Sequence, residues 1–185
     1  SDNTLAKPMM SGDQLRAAAA VPGVTQNAVD DLLVLDFDSS ESLEILRKKA
    51  HELAAIMIEP VQSRRPDIQP RAFLHELRRI ADESGAVLIF DEMVTGFRVH
   101  PGGAAAVFGV QADIATYGKV VGGGLPIGVI AGKAPFMGAL DGGLWNYGDG
   151  SYPTSERTLF AGAFFKHPLT MAAAVASLNH IKNNQ

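Results

Sequence analysis

An α/β fold, with a mostly parallel sheet and flanking helices, is predicted by three features of the sequence. Short apolar runs alternate with segments of helical periodicity. Two of those runs end directly in acidic residues, at Glu59 and at Asp91-Glu92. The hydrophobic and charged fractions, 46% and 19%, are those of a folded domain, and 185 residues suit one domain with a substantial core.

The elements follow in chain order. Residues 1–30 show no clear period: Pro8, Gly12, Pro22 and Gly23 interrupt them, and Ala17 to Ala20 add a short apolar run. We read them as an irregular lead-in and residues 31–185 as the domain. Leu32 to Leu35 reads as a strand, and Ser39-Ser40 as an N-cap. Leu43, Leu46, Ala50 and Leu53 are spaced as the inner stripe of a helix. Ala54 to Ile58 reads as a strand apolar on both faces, as inside a parallel sheet. Pro70 opens the next helix, Phe73, Leu77, Ile80 and Ala81 form its buried stripe, and Gly85 stops it. Ala86 to Phe90 is a second doubly buried strand, running straight into Asp91. Asp113 to Tyr117 and Ile127 to Ala131 are shorter strands. Residues 141–160 form a long surface loop, and an Ala-rich helix runs from Pro168 to about Lys182.

Several function classes are excluded. The net charge is −4, and basic runs go no further than Arg64-Arg65 and Arg78-Arg79, which argues against nucleic acid and anionic membrane surfaces. Without cysteine there is neither a disulfide framework nor a thiolate zinc site. His51-Glu52 and His75-Glu76 lack the second histidine of a zinc-protease helix, and no G-x-S-x-G elbow occurs, so no metal is expected and the histidines read as surface or structural residues. No stretch suits a bilayer crossing and the first twenty residues do not resemble a signal peptide, so a cytoplasmic location is expected.

In parallel sheets, ligands gather at the carboxyl ends of the strands, which puts Glu59, Asp91 and Lys119 along one edge. A buried strand-end carboxylate needs a cationic partner: a metal, an arginine or a protonated ligand nitrogen. A simple loop-capping aspartate is the alternative. The metal strand of a P-loop NTPase is a further one, but the G-x-x-x-x-G-K-[ST] loop is missing: Ala134 follows Gly132-Lys133, and Ile127 stands where the first glycine belongs. Lys119 lies between an apolar strand and Gly122-Gly123-Gly124. Partial burial there would lower its pKa and expose the neutral, nucleophilic amine. A lysine stem lying over apolar surface is the alternative. Taken as a pair, Asp91 and Lys119 suit pyridoxal phosphate, which needs an amine for its aldehyde and an acid that keeps its ring nitrogen protonated.

Three blocks then carry a family resemblance. They are Ile58-Glu59-Pro60-Val61-Gln62, the run Leu88-Ile89-Phe90-Asp91-Glu92-Met93-Val94-Thr95-Gly96-Phe97-Arg98, and the run from Gly118-Lys119 through Gly122-Gly123-Gly124 to Gly128. In this order and spacing they resemble class III pyridoxal-phosphate-dependent aminotransferases, in particular glutamate-1-semialdehyde aminomutase and the aminotransferase domains of nonribosomal peptide synthetases and polyketide synthases. The wording from Glu59 to Arg78 favours the synthetase kind, and the likeness runs from about residue 30 to the end. The resemblance implies part of the large domain of fold type I and a homodimer. It also implies an amino donor and a keto or aldehyde acceptor, with an acyl carrier domain as a further candidate partner. By position, Lys119 would carry the Schiff base, Asp91 would pair with the pyridinium, and Met93 would lie against the ring. Glu59 and Glu92 would be near the site, or structural. The family's threonine for the neighbouring subunit's cofactor phosphate falls at Ala163, which cannot donate that bond. Family members are also much longer, which implies a partial chain.

Overall fold

The computed structural model describes residues 5–11 and 14–184, and the chain divides into two compact units, residues 1–45 and 46–185. The division therefore falls beyond the expected one at residue 30, and inside a helix.

The first unit opens on an antiparallel hairpin, β1 (Ala6–Ser11) and β2 (Gln14–Ala19), in register from Ala6 opposite Ala19 to Ser11 opposite Gln14. The lead-in is thus not irregular. Alternation buries Ala6 and Ala17, which close with Val29 into a small core, and Val24 and Val34 pack on it. The Gln26 amide donates to the Ala17 carbonyl at 3.0 Å and ties the next turn to β2. The strand expected at Leu32 to Leu35 does not form. The Leu32 amide turns back to the Val29 carbonyl at 3.1 Å, and these residues join neither sheet. A four-residue apolar run fits a core-facing loop as well as a strand. Ser39 does cap α1 (Ser40–Lys49): its Oγ accepts from the Ser42 amide at 3.3 Å.

The second unit holds a four-stranded sheet in the order β3 (Ala55–Ile58), β4 (Val87–Asp91), β5 (Ile114–Tyr117), β6 (Val129–Gly132). The first three strands are parallel and β6 is antiparallel to β5. Between β3 and β4 runs α2 (Arg71–Ser84). Its Phe73, Leu74, Leu77, Ile80 and Ala81 are all buried, and with Leu88 and Phe90 of β4 they make the core. Gly85 takes the left-handed conformation (φ 79°) that ends the helix, its amide bonded to Ala81. β3 is not doubly buried: it is an edge strand here, and Met57 is 49% exposed. β6 begins later than its apolar run suggests. Its last residue, Gly132, lies so close to β5 that a methyl group there would sit 2.6 Å from the Asp113 carbonyl.

Three more helices complete the unit: α3 (Gly103–Phe108), α4 (Ala134–Asp141) and α5 (Pro168–Asn183). Residues 142–167 contain neither helix nor strand, as the surface-loop reading expected. Among the described residues, no helix is long and apolar enough to cross a membrane, and no group of three or more His, Asp or Glu could hold a metal ion.

Asp113, at the head of β5, is the main polar joint of this unit. It is 6% exposed. Its Oδ1 accepts from Lys133 Nζ at 2.6 Å, and its Oδ2 from Arg78 Nη1 at 2.9 Å and from the Leu88 amide at 2.8 Å. One carboxylate thus links α2, β4, β5 and the end of β6. Burial alone would raise its pKa, but the bonds from Lys133, Leu88 and Arg78 outweigh that and hold it below the ordinary carboxyl value. A carboxyl depressed in the folded state stabilises above its unfolded pKa, about 4, and loses that contribution as pH falls through the folded value. Asp113→Asn is expected to cost about 3 kcal/mol at neutral pH. In urea melts, the gap between the two proteins should narrow as the pH falls below about 4.

Candidate active site

The parallel register decides which side chains meet at the carboxyl edge. Asp91 is the last residue of β4 and pairs with Thr116 of β5. Lys119 follows Thr116 by three residues. Adjacent strands lie about 4.8 Å apart and three residues span at most about 10 Å, so the Cα atoms of Asp91 and Lys119 are within about 15 Å of each other. Glu59, Asp91 and Lys119 do follow the ends of three consecutive parallel strands.

Asp91 is half-buried. Its Oδ1 accepts from the Met93 amide at 3.0 Å, the self-closing turn typical of aspartate, and from Thr116 Oγ1 at 3.4 Å. Its Oδ2 has no hydrogen-bond partner among the described residues. One oxygen is fixed and the other is free to accept a proton donor. The Met93 side chain lies against Gly118, where any methyl group would overlap its Cε. Glycine at 118 thus lets the thioether settle at the entrance of the turn that carries Lys119.

Lys119 corrects one expectation. Its side chain is exposed rather than partly buried, and it makes no hydrogen bond or ion pair among the described residues. What sets it apart is its backbone. Lys119 has φ 40°, in the left-handed region that a lysine seldom occupies, and it opens a 3-10 turn, Lys119–Gly122. Strain of this kind persists only where neighbours hold it, and it collects at functional sites. Here the support is α5, which packs on the turn. Gly123 (φ 57°) admits it: a methyl group there would stand 2.6 Å from Ser177 Oγ.

The two glutamates resolve differently from Asp91. Glu59 Oε1 accepts from the Ser63 amide at 2.9 Å and closes the loop after β3. Glu92 is fully buried and turned into the fold. Its Oε2 accepts from Thr95 Oγ1 at 2.7 Å and the Ala104 amide at 2.8 Å, and its Oε1 from the Ala105 amide at 2.8 Å. The structural reading therefore holds for both. Tyr117 was not singled out in the sequence. Its ring lies 5.3 Å from that of Phe97 and over Gly96, and burial, with the Glu92 charge adding to it, pushes its phenol pKa up. Ala163 lies exposed, four residues before His167, the N-cap of α5.

An open acid and an open amine at the ends of adjacent parallel strands place the chain in a class: α/β proteins with a parallel sheet, whose carboxyl edge is where ligands commonly bind. The sequence description "Aminotransferase class-III" matches residues 4–185. The chain belongs to the class III aminotransferase family. It is similar to the glutamate-1-semialdehyde 2,1-aminomutase of Ignicoccus hospitalis, at 44% identity over 86% of this chain and 36% of that protein. It is similar to the enzyme of the same name from Alkaliphilus oremlandii at 34% identity, over 100% of this chain and 41% of that one. Among solved structures, a transaminase with PLP bound superposes with TM-score 0.75 at 34% identity, over 91% of this chain and 38% of the other. An omega-transaminase from Sphaerobacter thermophilus superposes with TM-score 0.73 at 32% identity, over 90% and 36%. The fold is therefore that of the type I transaminases. The chain spans little more than a third of the length of these relatives.

The support under Lys119 can be measured. Gly123→Ala should destabilise the protein by about 1–2 kcal/mol in urea unfolding, because alanine is strained at φ 57° and collides with Ser177. Ser177→Ala in the same protein should recover the collision but not the backbone strain, and so return about half of the loss.

Proposed function

We propose that this chain carries the lysine- and aspartate-bearing part of a pyridoxal-phosphate site, in an enzyme that moves an amino group from a donor amino acid to a keto or aldehyde group. The observation that carries this reading is the pair of unengaged groups at adjacent strand ends, Asp91 Oδ2 and Lys119 Nζ. The residues present fit the cofactor: an acceptor oxygen at one strand end, an amine at the exit of the adjacent strand, and an apolar side chain between their elements. Similarity to a transaminase with PLP bound supports the same choice.

When bound, pyridoxal phosphate supplies an aldehyde that condenses with amines and a protonated ring that takes up the electrons released at the substrate's α-carbon. Lys119 Nζ would be the amine that holds the aldehyde and, when free, the base for the substrate's α-proton. Asp91 Oδ2 would accept from the protonated ring nitrogen. Met93 would offer the ring an apolar surface.

The acceptor we propose is a keto or aldehyde group on a carrier-tethered acyl chain, supported by the wording of residues 59–78. The second reading is an intramolecular shift of the amino group from carbon 2 to carbon 1 of glutamate-1-semialdehyde, which the names of the similar relatives favour. A donor requirement separates them: the aminomutase converts the semialdehyde to its isomer with no added amino acid, whereas the transaminase needs one. We also propose a homodimer. Leu144, Tyr147, Leu159 and Phe164 are 98%, 98%, 91% and 83% exposed, more apolar surface than a lone molecule usually presents.

Borohydride reduction of the polypeptide carrying this chain, loaded with pyridoxal phosphate, should fix the cofactor's mass on the Lys119 peptide. Lys119→Ala should lose both that adduct and the visible absorption band. If the unaltered protein shows neither, the reading fails. Asp91→Asn should retain the adduct but turn over about 100-fold more slowly. Ala163→Thr restores the family's phosphate donor, and equilibrium dialysis should show cofactor bound about tenfold more tightly.

A further inference from the structure

We infer that Glu92 is the positioning residue of this site: its buried carboxylate locks the exit of β4 and thereby aims Asp91 and seats Met93. The inference rests on the function proposed above. Glu92 is itself no candidate for contact with a ligand, since it is fully buried and its carboxylate is taken up by Thr95, Ala104 and Ala105.

Five hydrogen bonds converge on this one residue. Its amide donates to the Thr116 carbonyl at 2.9 Å and extends the β4–β5 ladder one step past Asp91. Its carbonyl accepts from the Gly96 amide at 2.8 Å and closes the turn that contains Met93. Its carboxylate takes the Thr95 hydroxyl and the first amides of α3, at Ala104 and Ala105. Among the described residues, no other side chain caps α3. Room for the carboxylate comes from Gly103 (φ 65°), where any methyl group would overlap both oxygens. Asp91 and Met93 flank this anchor directly, Asp91 as the last residue of β4 and Met93 in the turn that follows. A buried carboxylate satisfied by three donors is far more rigid than one held by a mobile cation, because each donor is itself part of a turn or helix. Glutamine at 92 supplies one acceptor oxygen and puts an NH2 group where a second acceptor is needed. Aspartate keeps both oxygens but falls one methylene short.

Two measurements on the polypeptide carrying this chain test the inference. Hydrogen exchange needs no cofactor. In Glu92→Gln, the amides of Met93, Gly96, Ala104 and Ala105 should exchange at least about tenfold faster, while those of Leu74 and Leu88 in the core keep their protection. The Met93 amide is the decisive one, because it reports the bond to Asp91 Oδ1. The second readout is the pH titration of the bound cofactor's visible band. A displaced Asp91 holds the ring proton less well and changes the charge the ring draws from the group that sets the band, so the midpoint should move, with about tenfold weaker cofactor binding. Glu92→Asp should recover part of both effects, and Thr95→Val, which removes one donor at constant volume, should give a smaller change of the same sign. It also serves if Glu92→Gln fails to fold. Unchanged Met93 exchange in these variants overturns the inference, as does faster exchange with the same titration midpoint and cofactor affinity. If the unaltered protein takes up no cofactor, it is the proposed function that fails, and Met93 exchange alone then decides whether Glu92 holds Asp91.

Discussion

The parallel pairing of β4 with β5 is the constraint on which this unit depends, and buried carboxylates brace it at both ends. At the amino end Asp113 gathers Arg78, Lys133 and the Leu88 amide. At the carboxyl end Glu92 gathers a hydroxyl and two helix amides. The two solutions differ in kind. Asp113 offsets its desolvation with full positive charges, and Glu92 with neutral donors at a helix start. Between them lie Leu88 and Phe90, with no exposure, and the register that sets Asp91 beside Thr116. The chemistry at the edge is thus held by groups that take no part in it.

Within that frame the site divides its labour by degree of order. Asp91 has one oxygen tied and one open, so its direction is fixed before any ligand arrives. Lys119 has a fixed backbone and an untethered side chain, an arrangement that allows one amine to reach different atoms in turn. Met93 fills the space that Gly118 leaves. Preorganised acid, mobile amine and soft apolar wall are three different mechanical demands, met by three residues within a few ångströms of two strand ends.

How far the sequence could be read depends on whether a feature is local. The stripe of α2, its glycine stop, and β4 running into Asp91 depend on periodicity and a left-handed cap, and all three appear in the fold. The placement of Glu59, Asp91 and Lys119 at consecutive strand ends followed from alternation and sheet direction alone. The failures are tertiary. Leu32 to Leu35 had the composition of a strand but no partner. β3 had the composition of an interior strand but sits at an edge. The β1–β2 hairpin was hidden by Pro8 and by an alanine run with little amphipathic contrast. Glu92 reads as a near-site or structural acid and Asp113 only as the start of a strand, because most of their donors come from residues 12 to 35 positions away. Lys119's exposure was misjudged for the same reason: apolar neighbours in sequence do not cover it in space.

The conformation of Lys119 carries a cost that has to be set against its use. At φ 40° a glycine would be at ease and a lysine is not, by about 1 kcal/mol. A search for more stable versions of this protein would therefore pick out position 119 early and favour the small residue. Such a variant would fold more firmly and have nothing left to bond a carbonyl with. Under the proposed function, thermal tolerance and reactivity are opposed at this single residue, and selection for the first alone would remove the second.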